Sequence, residues 1–210
     1  MKSVVAIYSV LVLLAGQVCS QSPKGQEKIV GGKCDACELM FEGMPNNPGW
    51  KTRLSSPGEA GDPLIISGTI FQSDGKTPAP DVILYVYHTD ATGRYTPSSK
   101  QTAGKRHGRL RGWMKTGTDG RYQFETIRPA SYPDSRTPQH VHPIIKEPKT
   151  SLYWIDEYLF EDDPFLGAKE RAQQEKRGGT GIIQLKRNGN GTWAGHRDII
   201  LGLNIPNYHQ

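Results

Sequence analysis

The residues best suited to chemistry in this chain are two histidines, His140 and His142, which stand one residue apart. If they lie on a β-strand, side chains alternate between the two faces, so both imidazoles point to the same side. Two imidazoles on one face can bind one metal ion. Tyr132 lies shortly before them, and Tyr95 closes a turn-like run that begins at Thr89. Phenolate oxygens suit a hard, highly charged cation such as Fe(III), so this set of side chains predicts an iron site.

The segments that must position these residues have the composition of short strands. From Pro63 onward, runs of β-branched and apolar residues are separated by Gly, Pro and Asp-Gly. This pattern predicts an all-β fold, a single β-sandwich with little helix. The predicted strands are 64–71, 82–88, 121–127, 140–146, 152–160, 181–186 and 192–201. Residues 163–174 are the one stretch expected to form a helix, and a short one.

The chain divides into three regions at this level. Residues 1–20 combine a basic start, an apolar run too short to span a bilayer, and small residues before Gln21, which is typical of a cleaved secretory signal. Residues 21–62 are rich in Gly, Pro and polar residues and predict an extended N-terminal arm. Residues 63–210 form the predicted sandwich. We therefore expect a secreted, extracellular protein that has no membrane segment after signal cleavage.

Two cysteines, Cys34 and Cys37, remain once Cys19 is removed with the signal. In a secreted chain a local disulfide is the favoured interpretation, while free thiols and a redox or metal role stay open. Asn190-Gly191-Thr192 fits the pattern for N-glycosylation and lies in a sequence typical of a hairpin turn.

The net charge of +5 becomes +4 in the mature chain, because Lys2 is the one charged residue of the signal. Much of the positive charge lies between Lys100 and Lys115. This segment is interpreted either as a solvated loop or as a funnel that attracts anionic small molecules. No nucleic-acid-binding motif is present and aromatic residues are sparse among these charges, so nucleic acid is not an expected partner.

Taken in order, several segments resemble the intradiol ring-cleavage dioxygenases. They are residues 87–95, residues 117–129, Tyr132-Pro133, His140-Val141-His142 and residues 160–164, within a resemblance that spans roughly 60–202. The chain is more narrowly similar to short secreted members of that family, in which a Cys-x-x-Cys arm precedes the sandwich.

The resemblance implies non-haem Fe(III) held by Tyr95, Tyr132, His140 and His142, with Tyr132 and His142 axial and hydroxide at a fifth position. It implies that a catecholic substrate and O2 are converted to a cis,cis-muconate-type diacid, with Tyr132 also serving as a base. Arg136 lies beside the position where the family often has an arginine, so it is a candidate catalytic residue that supplies the same polarising charge. Glu157 lies where a glutamine is common. A monomer is expected, because no helical dimerisation segment precedes the sandwich.

Two other functions are compatible with parts of this sequence. The strand-turn-strand scaffold is also similar to transthyretin-like and carboxypeptidase-regulatory modules, which are non-catalytic binding or spacer domains. A fold alone does not assign function. A structural zinc site is the third alternative, although zinc is usually bound by Cys, His or carboxylate ligands rather than by two tyrosines.

Overall fold

The computed structural model describes residues 29–102 and 106–208, which form two six-stranded sheets. The predicted signal segment and Lys105 lie outside the described residues, so secretion stays a prediction. Within the described part of the chain, no helix has the length and apolar character needed to cross a bilayer.

The predicted all-β sandwich is confirmed. The strands are β1 (Lys51–Arg53), β2 (Pro63–Phe71), β3 (Ile83–His88), β4 (Arg111–Lys115), β5 (Arg121–Ile127), β6 (His140–Lys146), β7 (Tyr153–Trp154), β8 (Tyr158–Phe160), β9 (Ile182–Ile183), β10 (Lys186–Arg187), β11 (Trp193–His196) and β12 (Ile199–Ile200). One sheet has the order β1-β5-β2-β11-β10, with β12 also paired to β2. The other has the order β4-β3-β6-β8-β9, with β7 paired to β6. A 3-10 helix (Cys37–Phe41) and a short α1 (Ala168–Ala172) complete the elements.

The space between the two sheets is filled by alternate residues of the strands. In β2 every second side chain is buried from Leu64 to Ile70, as expected for a strand with one face against a core. These side chains pack with Phe124 of β5, Val86 of β3 and Val141 of β6. Because Val141 faces inward, its neighbours His140 and His142 must face the other side of the sheet.

A second, smaller core covers the outer face of the β3–β6 sheet. Here the N-terminal arm packs Cys37 and Met40 against Tyr85 and Ile144. Trp113 of β4 contributes to the same cluster and donates a hydrogen bond from its Nε1 to the Met40 carbonyl, at 2.7 Å. The arm is therefore fixed to the face of the sheet that carries the two histidines.

The structure corrects some of the element predictions. Residues 111–115 were expected to be part of a basic loop, but they form β4, because Gly112 and Met114 face inward while Trp113 packs under the arm. The arm itself supplies β1, which pairs in parallel with β5. The strands predicted at 152–160, 181–186 and 192–201 are each broken into shorter pieces.

The basic residues of the 100–115 segment are mostly held in ion pairs. Arg109 contacts Glu59 at 2.6 Å, Arg111 contacts Glu42 at 3.5 Å, and Lys115 contacts Asp81 at 2.8 Å. Since these charges are neutralised locally, they give little support to a funnel for anions.

The structure joins Cys34 and Cys37 in a disulfide with a Cα–Cα separation of 5.6 Å. We expect the Cys34→Ser/Cys37→Ser variant to lose about 1–3 kcal/mol of unfolding free energy, because the closed loop is short. Denaturant unfolding measures the loss, and chemically reduced wild-type protein is the matched control, since it should lose a similar amount. Two free thiols in freshly purified, unreduced, denatured protein would refute the bond.

Candidate metal centre

Strand β6 brings His140 and His142 to the outer face of its sheet, one beside the other. β6 pairs with β3 on one side and β8 on the other, which fixes its backbone in the middle of the sheet. Tyr87 is the β3 residue directly opposite His142, and their rings stack with centroids 4.6 Å apart. His107 stacks on Tyr87 at 3.8 Å, so the His142 imidazole is held in a column of three rings.

Tyr95 is positioned by a tight loop built around Asp90. One carboxylate oxygen of this buried residue accepts hydrogen bonds from the Thr92 backbone and hydroxyl, at 2.9 and 2.6 Å. The other accepts the Thr96 hydroxyl at 2.6 Å. Gly93 has φ +75°, and a Cβ there would lie 2.1 Å from the Ser131 carbonyl oxygen. A glycine is required because the loop packs directly against the segment that carries Tyr132.

The segment around Tyr132 is tied down at both ends. The Thr89 hydroxyl donates to the Ala130 carbonyl at 2.7 Å, which joins this segment to the Tyr95 loop. At the other end, Gln139 accepts a hydrogen bond from Arg128 at 2.7 Å, and its backbone N–H donates to Asp163 at 2.6 Å. The loop therefore leads back into β6 with Tyr132 placed over the histidines.

These elements bring four donor atoms together in a closed ring. Tyr95 Oη lies 2.8 Å from Tyr132 Oη and 2.8 Å from His142 Nε2. His140 Nε2 lies 3.1 Å from Tyr132 Oη and 3.1 Å from His142 Nε2. All four side chains that the sequence predicts as metal ligands thus meet at one point.

Both histidines present a lone pair to that point. His140 Nδ1 lies 2.6 Å from the Pro138 carbonyl oxygen, so it must carry the proton and donate it. His142 Nδ1 lies 3.1 Å from Glu157 Oε1 and donates in the same way. With Nδ1 engaged in each ring, the two Nε2 atoms are left facing each other at 3.1 Å. In the tautomer with the proton on Nδ1, both Nε2 atoms are acceptors, and a cation between them satisfies both.

The spacing of the four donor atoms fits one metal ion. Metal bonds to imidazole nitrogen and to oxygen are roughly 2.0–2.2 Å long, so two ligands at right angles are about 3.0 Å apart. The four contacts of 2.8–3.1 Å agree with that separation. The residues present are therefore suited to holding a single hard cation, and their role as ligands stays a prediction.

The electrostatics of the site favour neutral groups until a cation is present. Burial raises the pKa of Tyr95 and of Tyr132 above the usual phenol value. Burial also lowers the pKa of His140, which keeps this imidazole unprotonated and ready to bind. A phenolate at this position needs a nearby positive charge, so metal binding and loss of the phenol protons are linked.

Glu157 contacts His142, and the sequence indicated it only as the residue at a position where the family commonly has a glutamine. His140, His142 and Glu157 lie close enough for one cation, with candidate ligand atoms within 4.8 Å of each other. Glu157, however, contacts His142 at Nδ1, whereas Tyr95 contacts it at Nε2. One imidazole cannot give both nitrogens to one ion, so Glu157 is better suited to orienting His142. Although burial opposes it, the hydrogen bond from His142 lowers the pKa of the Glu157 carboxyl.

Arg136 does not join the four-atom ring. Its side chain is exposed and its guanidinium lies over the Phe165 ring, 5.4 Å from the centroid. It lines a neighbouring cavity together with His140 and Glu157. A polarising role for Arg136 therefore stays a prediction.

Three cavities border the ring of donor atoms. The arm-side cavity, about 530 Å³, lies between the arm and β6 and includes Asp35, Tyr87, His142 and Glu157. The helix-side cavity, about 410 Å³, includes Arg136, His140 and Glu157. The tyrosine-side cavity, about 290 Å³, is lined by Asp35, Ala36, Tyr87, Tyr95, Arg106, His107, Tyr132 and His142. Each cavity is lined by at least one of the four candidate ligands, so a small molecule bound in any of them lies beside the site.

Comparisons with known proteins agree with this arrangement. A family model described as "Dioxygenase" matches residues 44–178. Catechol 1,2-dioxygenase 1 of Acinetobacter lwoffii is 29% identical over 151 residues, which cover 60% of this chain and 48% of that protein. Catechol 1,2-dioxygenase of Acinetobacter baylyi is 32% identical over 97 residues, 45% of this chain and 30% of that protein. The chain thus matches half or less of the length of these curated relatives.

The fold is also found among solved structures. The dioxygenase domain of a dioxygenase–carbohydrate-binding fusion protein from Streptomyces sp. SirexAA-E superposes with a TM-score of 0.57. The match covers 75% of this chain and 91% of that domain, at 23% identity. At that identity the likeness concerns the fold alone.

Proposed function

Since the chain belongs to the intradiol ring-cleavage dioxygenase family, we propose that it uses Fe(III) to open catechol-type rings with O2. Both atoms of O2 enter the product, the bond between the two hydroxylated carbons breaks, and a cis,cis-muconate-type diacid forms. We place the activity in the described domain itself, because the ring of donor atoms lies wholly within residues 95–142.

The observation that carries the proposal is the ring of two phenol oxygens and two imidazole Nε2 atoms, with contacts of 2.8–3.1 Å. Tyr95, Tyr132, His140 and His142 would hold the iron. Two anionic oxygens favour Fe(III) over a softer ion. The bound ion would supply Lewis acidity and a template for the catechol.

The chain's own residues supply positioning and proton transfer. The stack of His107, Tyr87 and His142 fixes one imidazole, and the Pro138 carbonyl fixes the other. A catechol that binds as a dianion must lose two protons: the Tyr132 phenolate oxygen would accept one, and a hydroxide held at the site would accept the other. Tyr132 suits this role better than Tyr95, because three hydrogen bonds to the Asp90 carboxylate fix the loop that carries Tyr95.

Iron content, colour and product analysis test this function together. The purified protein should contain about one iron per chain and be reddish, because tyrosinate-to-Fe(III) charge transfer absorbs visible light. With catechol and ¹⁸O2 it should yield a diacid that carries two ¹⁸O atoms. Chelator-treated protein is the control: it should be colourless and inactive, and added iron should restore both properties. A colourless, iron-free protein that binds catechol unchanged would instead favour a binding module.

A further inference from the structure

The arm-side cavity carries more negative than positive charge. Its lining contains four carboxyl side chains and one ammonium, that of Lys33: the carboxyls belong to Asp35, Asp156, Glu157 and Glu175. Asp156 has a structural role, because its carboxylate accepts the backbone N–H groups of residues 176 and 177 at 2.8 and 3.1 Å. Three carboxylates therefore remain to act on a bound molecule, against one lysine.

Glu157 is the carboxylate nearest to the ring of donor atoms. Its Oε1 lies 3.1 Å from His142 Nδ1, and the side chain is 43% exposed. It belongs to both the arm-side and the helix-side cavity. A catechol whose oxygens occupy the ring of donor atoms must extend its substituent into one of the bordering cavities, and two of the three contain this charge.

Asp35 supplies a second carboxylate from the opposite wall, on the arm. It lines the arm-side and the tyrosine-side cavity. The excess of negative charge belongs to the arm-side cavity, because Arg106 balances Asp35 in the tyrosine-side cavity, and Arg136 and Lys169 balance the two glutamates of the helix-side cavity. Asp35 contacts Arg106 at 3.1 Å, but the two side chains are 73% and 66% exposed. An ion pair this exposed is weak and leaves the carboxylate available to solvent and to a ligand.

From this charge distribution we propose that the site selects catechols whose ring substituent is positively charged, with Glu157 and Asp35 making the selection. The inference rests on the proposed ring cleavage, because it names the substrate class of that same site. An ammonium group on a substituent that enters the arm-side cavity is attracted by the two carboxylates, whereas a carboxylate group there meets like charge. Neutral catechols fall between these two.

The test compares three catechols of similar size that differ in charge: 4-(2-aminoethyl)catechol, 4-ethylcatechol and 3,4-dihydroxyphenylacetate. Their dissociation constants are measured by anaerobic titration of the iron-loaded protein, and oxygen uptake is measured separately. Wild-type protein should bind the ammonium compound tightest and the carboxylate compound weakest, by about tenfold or more at low salt. The preference should shrink as ionic strength rises, since exposed charges are screened over about 8–10 Å at moderate salt.

Glu157→Gln removes the charge but keeps an amide oxygen that can accept the His142 Nδ1 proton. We expect it to reduce the ammonium-to-carboxylate preference to within about threefold. Asp35→Asn should shift the preference in the same direction by a smaller amount, and it changes no residue in contact with the donor atoms. Glu38→Gln is the matched control, because this exposed arm residue lines a different groove, with Phe41 and Lys146, and the preference should not change.

The outcomes separate the substrate preference from the proposed activity. Equal dissociation constants in the wild type, or an ammonium preference that survives Glu157→Gln combined with Asp35→Asn, would overturn the charge selection. If the three compounds bind in the expected order of affinity but no oxygen is taken up, the charge selection is supported and ring cleavage is rejected. If oxygen is taken up but the dissociation constants do not depend on substrate charge, ring cleavage is supported and the charge selection is rejected. If none of the three compounds binds, both proposals are rejected.

Discussion

Replacing either His140 or His142 by alanine is expected to remove the metal and the ring-cleaving activity together. Each imidazole nitrogen is one of four donor atoms in a ring with contacts of 2.8–3.1 Å, and each ring is oriented toward the ion through its Nδ1 atom, so the site cannot spare either imidazole. Iron per chain, measured by elemental analysis, should fall from about one to near zero, and turnover should fall by on the order of 1000-fold or more.

The fold should survive these substitutions, because neither histidine is part of the core between the sheets. Far-UV circular dichroism and the unfolding midpoint check that point. His196→Ala is the control: this histidine is exposed on β11, contacts Asp198 at 3.0 Å, and should be dispensable. A His140→Ala or His142→Ala protein that keeps its full iron would contradict the ligand assignment.

The sequence predicted well the parts of the fold that depend on local pattern. β5 and β6 have the predicted bounds, and β2 and β3 differ by one residue at their first position, because alternation of apolar and polar residues determines which face is buried. The same alternation placed His140 and His142 on one face. Tyr95 and Tyr132 followed from the ordered set of motifs rather than from periodicity, since two loops bring them together.

The parts that could not be predicted depend on contacts between distant segments. The outward face of β4 packs against the arm, which lies about 70 residues earlier in the chain. Because that partner is not visible in the local sequence, the basic residues of β4 were interpreted as part of a loop. The role of Gly93 becomes clear only when Ser131 is seen packed against it. Asp35, His107 and Glu157 belong to three separate segments, and their shared place beside His142 follows from the tertiary fold.

Tyr132→Phe is expected to separate metal binding from catalysis. The phenylalanine ring can keep the edge-to-face contact with His140, whose centroid is 5.2 Å away, so local packing is preserved. The substitution removes one oxygen ligand and one proton acceptor. Iron should be partly retained by the other three ligands, whereas kcat should fall by about 10²–10⁴-fold, the usual contribution of a general base. Iron analysis and oxygen uptake on the same sample measure the two effects.

Tyr208→Phe shows whether the loss is specific to the site. Its hydroxyl also takes part in a hydrogen bond, donated to Glu147 at 2.9 Å, but it lies away from the ring of donor atoms. Its removal should leave iron and kcat nearly unchanged. If Tyr132→Phe keeps kcat within about twofold of wild type, another group must accept the catechol proton, and the role of Tyr132 as a base is wrong. If iron and activity fall in equal proportion, Tyr132 acts only as a ligand, because a base contributes beyond metal occupancy.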